Sequence, residues 1–330
     1  MTRKTLHLLA AVVVVLALLL LAIGRSEKTS GTHNTALLPE FKSTANAVDR
    51  IHVVQPGSEE AVTITRRGSD WVVVERADYR ADVGKLRKVI NALADARIVE
   101  EKTANPDHYA KLGVDDPAES GSGTRIDLSG PDFAYSLIIG NLAQGSYRYV
   151  RISDQARSYL IDTDPSIPAS AVAWLDAELI DLAASDVRSV TITHRNGETI
   201  VIEKTEQEQT DFVVRDIPEG RELSYATVGN GIAGALQGLQ LTDVRKEVAA
   251  PAEVTAEFST WDGTHVAVDV IDNEEGTWLS FSATLSDEEA STSELFSHIN
   301  ERLAGWQYQV PEYKKNLLTR DWDELLKDTE

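Results

Sequence analysis

The 330-residue chain contains no cysteine. This excludes a disulfide framework, a thiolate metal site, a cysteine nucleophile and a lipoprotein anchor. Basic residues are also scarce: 32 Lys and Arg stand against 53 Asp and Glu, for a formal net charge of −21. Such a chain repels nucleic-acid phosphates and anionic lipid headgroups, which disfavours nucleic-acid binding and flat docking on a membrane. The charge reads instead as a solubility device. Catalytic signatures are missing too, with no G-x-S-x-G nucleophile elbow, no Walker-type G-K-[S/T] loop and no H-E-x-x-H motif. The histidines, at His7, His33, His52, His108, His194, His265 and His298, include no pair four residues apart that would put two ligands on one helix face. These patterns assign no catalytic residue, no metal ligand and no cofactor. A triad or carboxylate pair assembled from distant segments would escape them, since such sites are recognised by geometry.

One long apolar run is present. Leu6 to Ile23 are eighteen residues without a charge, about the minimum that crosses a ~30 Å hydrocarbon core at ~1.5 Å per residue. A cleaved signal peptide is the competing reading, since Ala22-Ile23-Gly24 offers small residues for a peptidase, but the run exceeds the ~7 to 15 apolar residues of such signals, so an uncleaved anchor is expected. Arg3 and Lys4 precede it and favour a cytoplasmic N-terminus. The reading is a stub at 1–5, a single transmembrane anchor at 6–23 in the inner membrane, a Ser/Thr/Gly-rich tether at 24–46, and a periplasmic body.

The body opens on short strands. Ile51 and Val53 alternate with His52 and Val54, Val62 and Ile64 alternate with threonines, and Trp71 to Glu75 closes a three-stranded meander whose turns fall at Gln55-Pro56-Gly57-Ser58 and Arg67-Gly68-Ser69-Asp70. Asp82 stands where a helix cap belongs. Val83, Leu86, Val89/Ile90 and Leu93 then recur at helical spacing, giving one buried stripe. The same order returns after Asp186: Val187, Val190 and Ile192, an Asn196-Gly197 hairpin turn, Thr199 to Glu203, Phe212-Val213-Val214, then Thr227 before Val228, Ile232, Ala235/Leu236 and Leu239. Phe212 stands where Trp71 stood. An internal duplication, with repeats at 47–184 and 185–330, accounts for these spacings.

Each half continues with further strands: Arg125–Leu128, Phe133–Ile139, Tyr147–Ile152 and Ser158–Ile161 in the first, and Val254–Thr260, Val266–Ile271 and Thr277–Phe281 in the second. Helices are expected at Ala171–Leu182, with Trp174, Leu175, Leu179 and Leu182 apolar. Another is expected after Ser286, where Ser286 and Glu289 match a capping box and Leu295, Phe296, Ile299 and Leu303 form the buried face. A short helix carrying Leu317, Leu318, Trp322, Leu325 and Leu326 ends the chain. The fold class is therefore α+β: two tandem β-rich repeats, each an antiparallel meander with a packed helix, behind an N-terminal transmembrane helix.

Several motifs have bland explanations. Gly229-Asn230-Gly231-Ile232-Ala233-Gly234 spells G-x-G-x-x-G, yet a dinucleotide fingerprint follows a buried parallel strand, whereas here a hairpin and the polar run Glu219–Ser224 precede it. Tight helix packing is the preferred account. Asp115-Asp116 before Pro117 reads as turn chemistry rather than a cation site. Asp272 to Gly276 departs from a calcium loop in its glycine position and reads as a hairpin loop. The six tryptophans read as packing rather than sugar platforms.

The Trp and valines at 71–74, Tyr79 with Ala81-Asp82, Tyr109, Gly113, Asp115, Asp116 and Pro117, and the closing Trp306, Tyr308, Pro311, Tyr313 pattern together resemble the domain-of-unknown-function 4340 family. The similarity covers roughly residues 47 to 326, with 220–251 matching mainly by pattern. It implies a membrane-anchored periplasmic protein associated with gliding-motility-type ABC exporters, and hence an ABC permease or an associated membrane protein as partner. It assigns structural roles, not catalytic ones, to Trp71, Tyr79, Asp82, Tyr109, Gly113, Asp115, Asp116, Pro117, Trp306, Tyr308, Pro311 and Tyr313. The functional expectation is a non-enzymatic accessory or binding module whose site lies where the repeats meet. The alternatives are a periplasmic hydrolase or transferase acting on envelope glycans or peptides and, less favoured by the short cytoplasmic stub, an envelope sensor.

Overall fold

Alternating apolar and polar residues build most of the regular structure, because a strand turns successive side chains to opposite faces. The structure is a computed structural model, and its described residues are 34–57, 61–117, 121–286 and 293–327. The chain divides into two units, one of residues up to Arg66 with Gly84–Ala169 and one of Arg67–Val83 with Ser170–Glu330. Residues 67–83, which carry Trp71 and Tyr79, therefore belong with the C-terminal half.

In chain order the first strands are β1 (Thr35–Ala36), β2 (Arg50–Val54), β3 (Val62–Arg67), β4 (Asp70–Val73), β5 (Tyr79–Arg80), β6 (Arg97–Glu101), β7 (Thr124–Gly130), β8 (Phe133–Leu142), β9 (Arg148–Ile152) and β10 (Ser158–Ile161). In the first unit they follow the order β1-β6-β10-β9-β8-β7-β2-β3. Register places buried residues opposite one another: Ile51 faces Ile64 and Leu128, and Ile126 faces Val53 and Leu137. Cross-strand apolar pairs of this kind stabilise a sheet. The helix Val83–Asp95 buries Leu86, Val89, Leu93 and Ala94. Val83 departs from the expected stripe: at the first helical position it is 47% exposed. The expected tether at 24–46 lies partly outside the described residues, and in its described part Thr35–Ala36 pairs with β6 and Leu37, Leu38 and Phe41 are buried. Apolar burial overrides the polar composition around them.

The second unit adds β11 (Glu178–Ile180), β12 (Val187–His194), β13 (Thr199–Glu203), β14 (Val213–Val214), β15 (Leu239–Gln240), β16 (Asp243–Lys246), β17 (Val254–Thr260), β18 (Thr264–Asn273), β19 (Gly276–Leu285) and β20 (Trp306–Gln309). Its large sheet runs β14-β13-β12-β17-β18-β19-β20-β16, and β11 pairs with β15. The run β10-β9-β8-β7-β2-β3 of the first unit has the same strand order as β20-β19-β18-β17-β12-β13 of the second. The described fold is thus α+β, dominated by antiparallel sheet.

Three expected helices differ. Ala171–Leu182 forms one 3-10 turn at Val172–Trp174 and then β11, because its backbone is claimed from outside: Leu175 bridges Ala81, Glu178 and Ile180 pair with Gln240 and Leu239, and Leu182 N–H donates to Leu236 O. The second-half helix is only Val228–Ala233, with no side-chain cap from Thr227. Four glycines between Val228 and Leu239, at 229, 231, 234 and 238, weaken helix propensity. Ala235, Leu236 and Leu239 are buried beyond the helix end. The helix expected after Ser286 spans Glu294–His298 and is capped by Ser293, whose hydroxyl accepts from Phe296 N–H, while the Ser286 hydroxyl donates to Gly263 O. Glu289 lies outside the described residues. A reciprocal capping box occurs instead at Asp321 and Glu324. Among the described residues no helix is long and apolar enough to cross a membrane, and the expected anchor at 6–23 lies outside them.

Candidate functional site

The sequence-marked residues fall into separate groups. In the first unit, Asn105 caps a 3-10 turn at Pro106–His108 that leads into the helix Tyr109–Leu112. Gly113 ends that helix at φ +66°, where a Cβ would stand 2.7 Å from Asn141 Oδ1, so only glycine fits the turn. The buried Arg151 organises the following loop. Its Nε donates to Val114 O at 2.9 Å and its Nη1 to Ser153 O and Gln155 O at 2.9 and 3.2 Å, while its guanidinium lies 4.6 Å from the Tyr109 ring centroid. The Tyr109 hydroxyl donates to Ala156 O. Asp115 accepts from the Ser122 hydroxyl at 2.6 Å. Partial burial opposes its ionisation, but hydrogen bonds from Ser122 and nearby backbone N–H groups, with the Arg151 charge, hold the carboxyl below the ordinary carboxylate value. Asp116 takes part through its carbonyl, which accepts from Gly121 N–H.

In the second unit, Tyr79 is buried edge-on against Trp306 and Tyr308, with ring centroids 4.9 and 5.9 Å away. Burial pushes both tyrosine hydroxyls above their ordinary pKa. Arg80 lies over the Tyr79 ring at 5.0 Å and donates to Asp176 Oδ2 at 3.0 Å, and Arg302 donates to the same oxygen at 3.1 Å. A cavity of about 430 Å³ beside them includes Trp71, which is half-buried. Asp82 donates its backbone N–H to Trp174 O. Pro311 precedes the helix Glu312–Leu318, and Tyr313 is 64% exposed. The sequence-marked residues thus build a turn and an aromatic core, with Tyr313 on the surface.

The G-x-G-x-x-G stretch packs tightly. A Cβ on Gly229 would meet Phe212 Cβ at 3.2 Å, and Asn230 bridges Phe212 N–H and the Asp211 carboxylate. Lys314 is buried and donates to Gly234 O and Gln237 O at 3.2 and 2.6 Å, and burial lowers its pKa. Among the described residues no group of three or more His, Asp or Glu side chains is arranged to hold a metal ion.

A second cavity of the second unit, about 610 Å³, joins four segments. Leu179, Ile180 and Leu182, on and just after β11, lie beneath its lining and are buried. The turn between β17 and β18 adds Trp261 and Asp262, the loop after β13 adds Gln207, and the last helix before β20 adds Glu294, Leu295, His298 and Arg302. A wide turn at Ile299–Leu303, closed by Ala304 N–H on Ile299 O, carries Arg302. It is pinned by Asn300, whose side-chain amide bonds both backbone groups of Ala283 at 3.2 and 2.9 Å. His298 Nε2 donates to Leu179 O at 2.6 Å, tying helix to strand. Partial burial opposes ionisation of Asp262, but hydrogen bonds from Thr260, Thr264 and Ser293 outweigh it and lower its pKa. Six carboxylates line the cavity, from Asp176, Glu178, Asp181, Asp186, Asp262 and Glu294, against one arginine. None of these acids stands out in the sequence as a site residue, since they belong to segments far apart in the chain.

Residues 71–257 match the family described as "Domain of unknown function (DUF4340)", more than half of the chain. The chain belongs to the DUF4340 family. No curated protein and no solved structure matches it. The DUF4340 match begins at Trp71 and contains Tyr79, Asp82, Tyr109, Gly113 and Asp115 to Pro117. Trp306, Tyr308, Pro311 and Tyr313 lie beyond its end. The β11 wall of the 610 Å³ cavity falls within the DUF4340 region, whereas the Trp261 turn and the His298 helix follow it.

A nucleophile-like contact lies on the second sheet. His265 Nδ1 is 2.9 Å from Ser259 Oγ and its Nε2 is 2.7 Å from Ser286 Oγ. Hydroxyls occupy both ring nitrogens, so no carboxylate orients the imidazole as in a serine triad. Ser259 and His265 also face each other within the β17–β18 ladder.

Proposed function

We propose that this chain is a binding module of the cell envelope, membrane-anchored and periplasmic, which serves an ABC-type exporter through contacts rather than catalysis. The observation that supports a binding role is the 610 Å³ cavity of the second unit, in which the half-buried Trp261 and Leu295 supply apolar wall beside charged groups. Ligand sites combine such an apolar wall with a few placed polar groups, in volumes of about 300–1,000 Å³. The anchor and the transporter come from the apolar run at 6–23 and from the family resemblance, which name a location and a partner without a chemistry. The experiment is affinity purification of the full-length chain from gently solubilised membranes. The expected result is co-purification of an ABC permease, and recovery of the chain alone would overturn the export role.

A hydrolase reading would rest on Ser259, His265 and Ser286. It requires that His265→Ala abolish turnover of an ester or glycan probe by the purified chain.

A further inference from the structure

Trp71 departs from the packing role expected of the tryptophans. It is half-buried, and among the described residues no aromatic ring or cation covers its indole. Trp306, by contrast, carries Lys246 Nζ at 3.4 Å and the Tyr79 ring at 4.9 Å. Both line the 430 Å³ cavity of the second unit, a volume within the ~300–1,000 Å³ of small-molecule sites. Val83 enters the same lining at 47% exposure, an apolar side chain left in water at the start of its helix. Trp71 and Val83 are therefore apolar surface that a ligand can reach.

The polar lining offers hydrogen-bond donors and acceptors together. Asp176 is held by Arg80 and Arg302, and Asp78 lies 3.7 Å from Arg67. Arg302 gives one N–H group to Asp176 while its side chain stays 49% exposed, and Glu301 and Asp70 are exposed beside it. Carboxylates accept and the guanidinium donates. An uncovered aromatic face flanked by both kinds of group complements an uncharged polyol with one apolar face, because a pyranose ring presents axial C–H groups to an indole and hydroxyls to its rim. An anion would meet four acids against two arginines in this lining, and a hydrocarbon would leave those groups without partners.

We propose that the 430 Å³ cavity is a saccharide site in which Trp71 stacks on a pyranose ring, Val83 meets an apolar substituent of the sugar, and Arg302 and Glu301 bond its hydroxyls. This goes beyond the export role and is tested apart from it, since co-purification of a permease reads one and sugar binding the other. Titration calorimetry of the full-length chain in a sugar-free detergent, with N,N′-diacetylchitobiose in one arm and cellobiose in the other, tests it. Tighter binding of diacetylchitobiose identifies an amino-sugar glycan, whose acetamido methyl suits Val83, and equal binding identifies a site that reads the ring alone. In either case Trp71→Ala weakens binding about ten-fold, and Trp71→Phe, which keeps a smaller ring, weakens it less. Tyr225→Ala, which removes an exposed aromatic side chain outside the cavity, leaves binding unchanged. The affinity of the unaltered chain stays level as salt rises, as for an uncharged ligand. In saturation-transfer NMR on the unaltered chain, the axial C–H protons of one sugar face receive the strongest transfer, a readout independent of any variant's folding. Absence of saturable binding by both disaccharides up to millimolar concentration overturns the proposal. So does an equal loss in Tyr225→Ala, a steep fall of affinity with salt, or transfer spread evenly over the sugar.

Discussion

Replacing Arg151 with methionine keeps an unbranched stem in the first unit but removes a buried guanidinium that donates to three backbone carbonyls, Val114 O, Ser153 O and Gln155 O. Each such bond contributes about 1 kcal/mol net. The contact with the Tyr109 ring at 4.6 Å adds about 0.5–1 kcal/mol. The expected cost is therefore about 3.5–4 kcal/mol, concentrated where the loop after Gly113 is tied to β9. Local opening is the quantity to measure. Gly121 N–H donates to Asp116 O and Gly123 N–H to Asp115 O, so their amide hydrogen exchange reports loop opening directly. A loss of about 3.5–4 kcal/mol accelerates that exchange roughly 300- to 700-fold, at about ten-fold per 1.4 kcal/mol. Arg151→Lys, which keeps the charge and loses the planar fork, should fall between the two. If Arg151→Met accelerates these amides less than about five-fold, Arg151 does not hold the loop and the reasoning fails.

Further outcomes follow from the same geometry. Asp115 has a folded pKa below its unfolded value, so its stabilisation is complete above the unfolded value and is lost as pH falls through the lower, folded one. Ser122→Ala should shift acid unfolding of the first unit to higher pH, and Asp115→Asn should remove that part of the pH dependence; circular dichroism titration checks both. Ala77 and Asp78 are left-handed, at φ 55° and 62°, between β4 and β5. There the strain that Ala77→Gly relieves roughly balances glycine's entropic cost of about 0.5–1 kcal/mol, so urea stability should hardly change. Ala77→Val should lower it by more than 1 kcal/mol, and a neutral valine would show that this turn is not held left-handed.

Most strands were legible because their signals are local. Period-two alternation marks β7 to β9 and β17 to β19, Asn196-Gly197 marks the β12–β13 hairpin, and Leu86, Val89 and Leu93 mark the helix Val83–Asp95. The segment at 171–182 failed for the opposite reason. Its Ala- and Leu-rich pattern suits a helix, but its hydrogen-bond partners lie far away in the chain, at Ala81, Leu239 and Gln240. Tertiary pairing overrides a weak local propensity. The shift of the cap from Ser286 to Ser293 has a similar origin, since the Ser286 hydroxyl is engaged by Gly263 and His265.

The sequence alone determined the family, the β-rich α+β class and the residues that shape the Gly113 turn and the Tyr79 core, all written in short-range patterns. The tertiary structure alone decided that residues 67–83 join the C-terminal half and that strand β11, the Trp261 turn and the His298 helix surround one cavity. It also decided which acids remain unpaired. Charge compensation depends on distances between residues far apart in the chain, as when Arg80 and Arg302 both reach Asp176 while Glu178, two residues on, has no ion-pair partner among the described residues. No periodicity in the sequence encodes that difference.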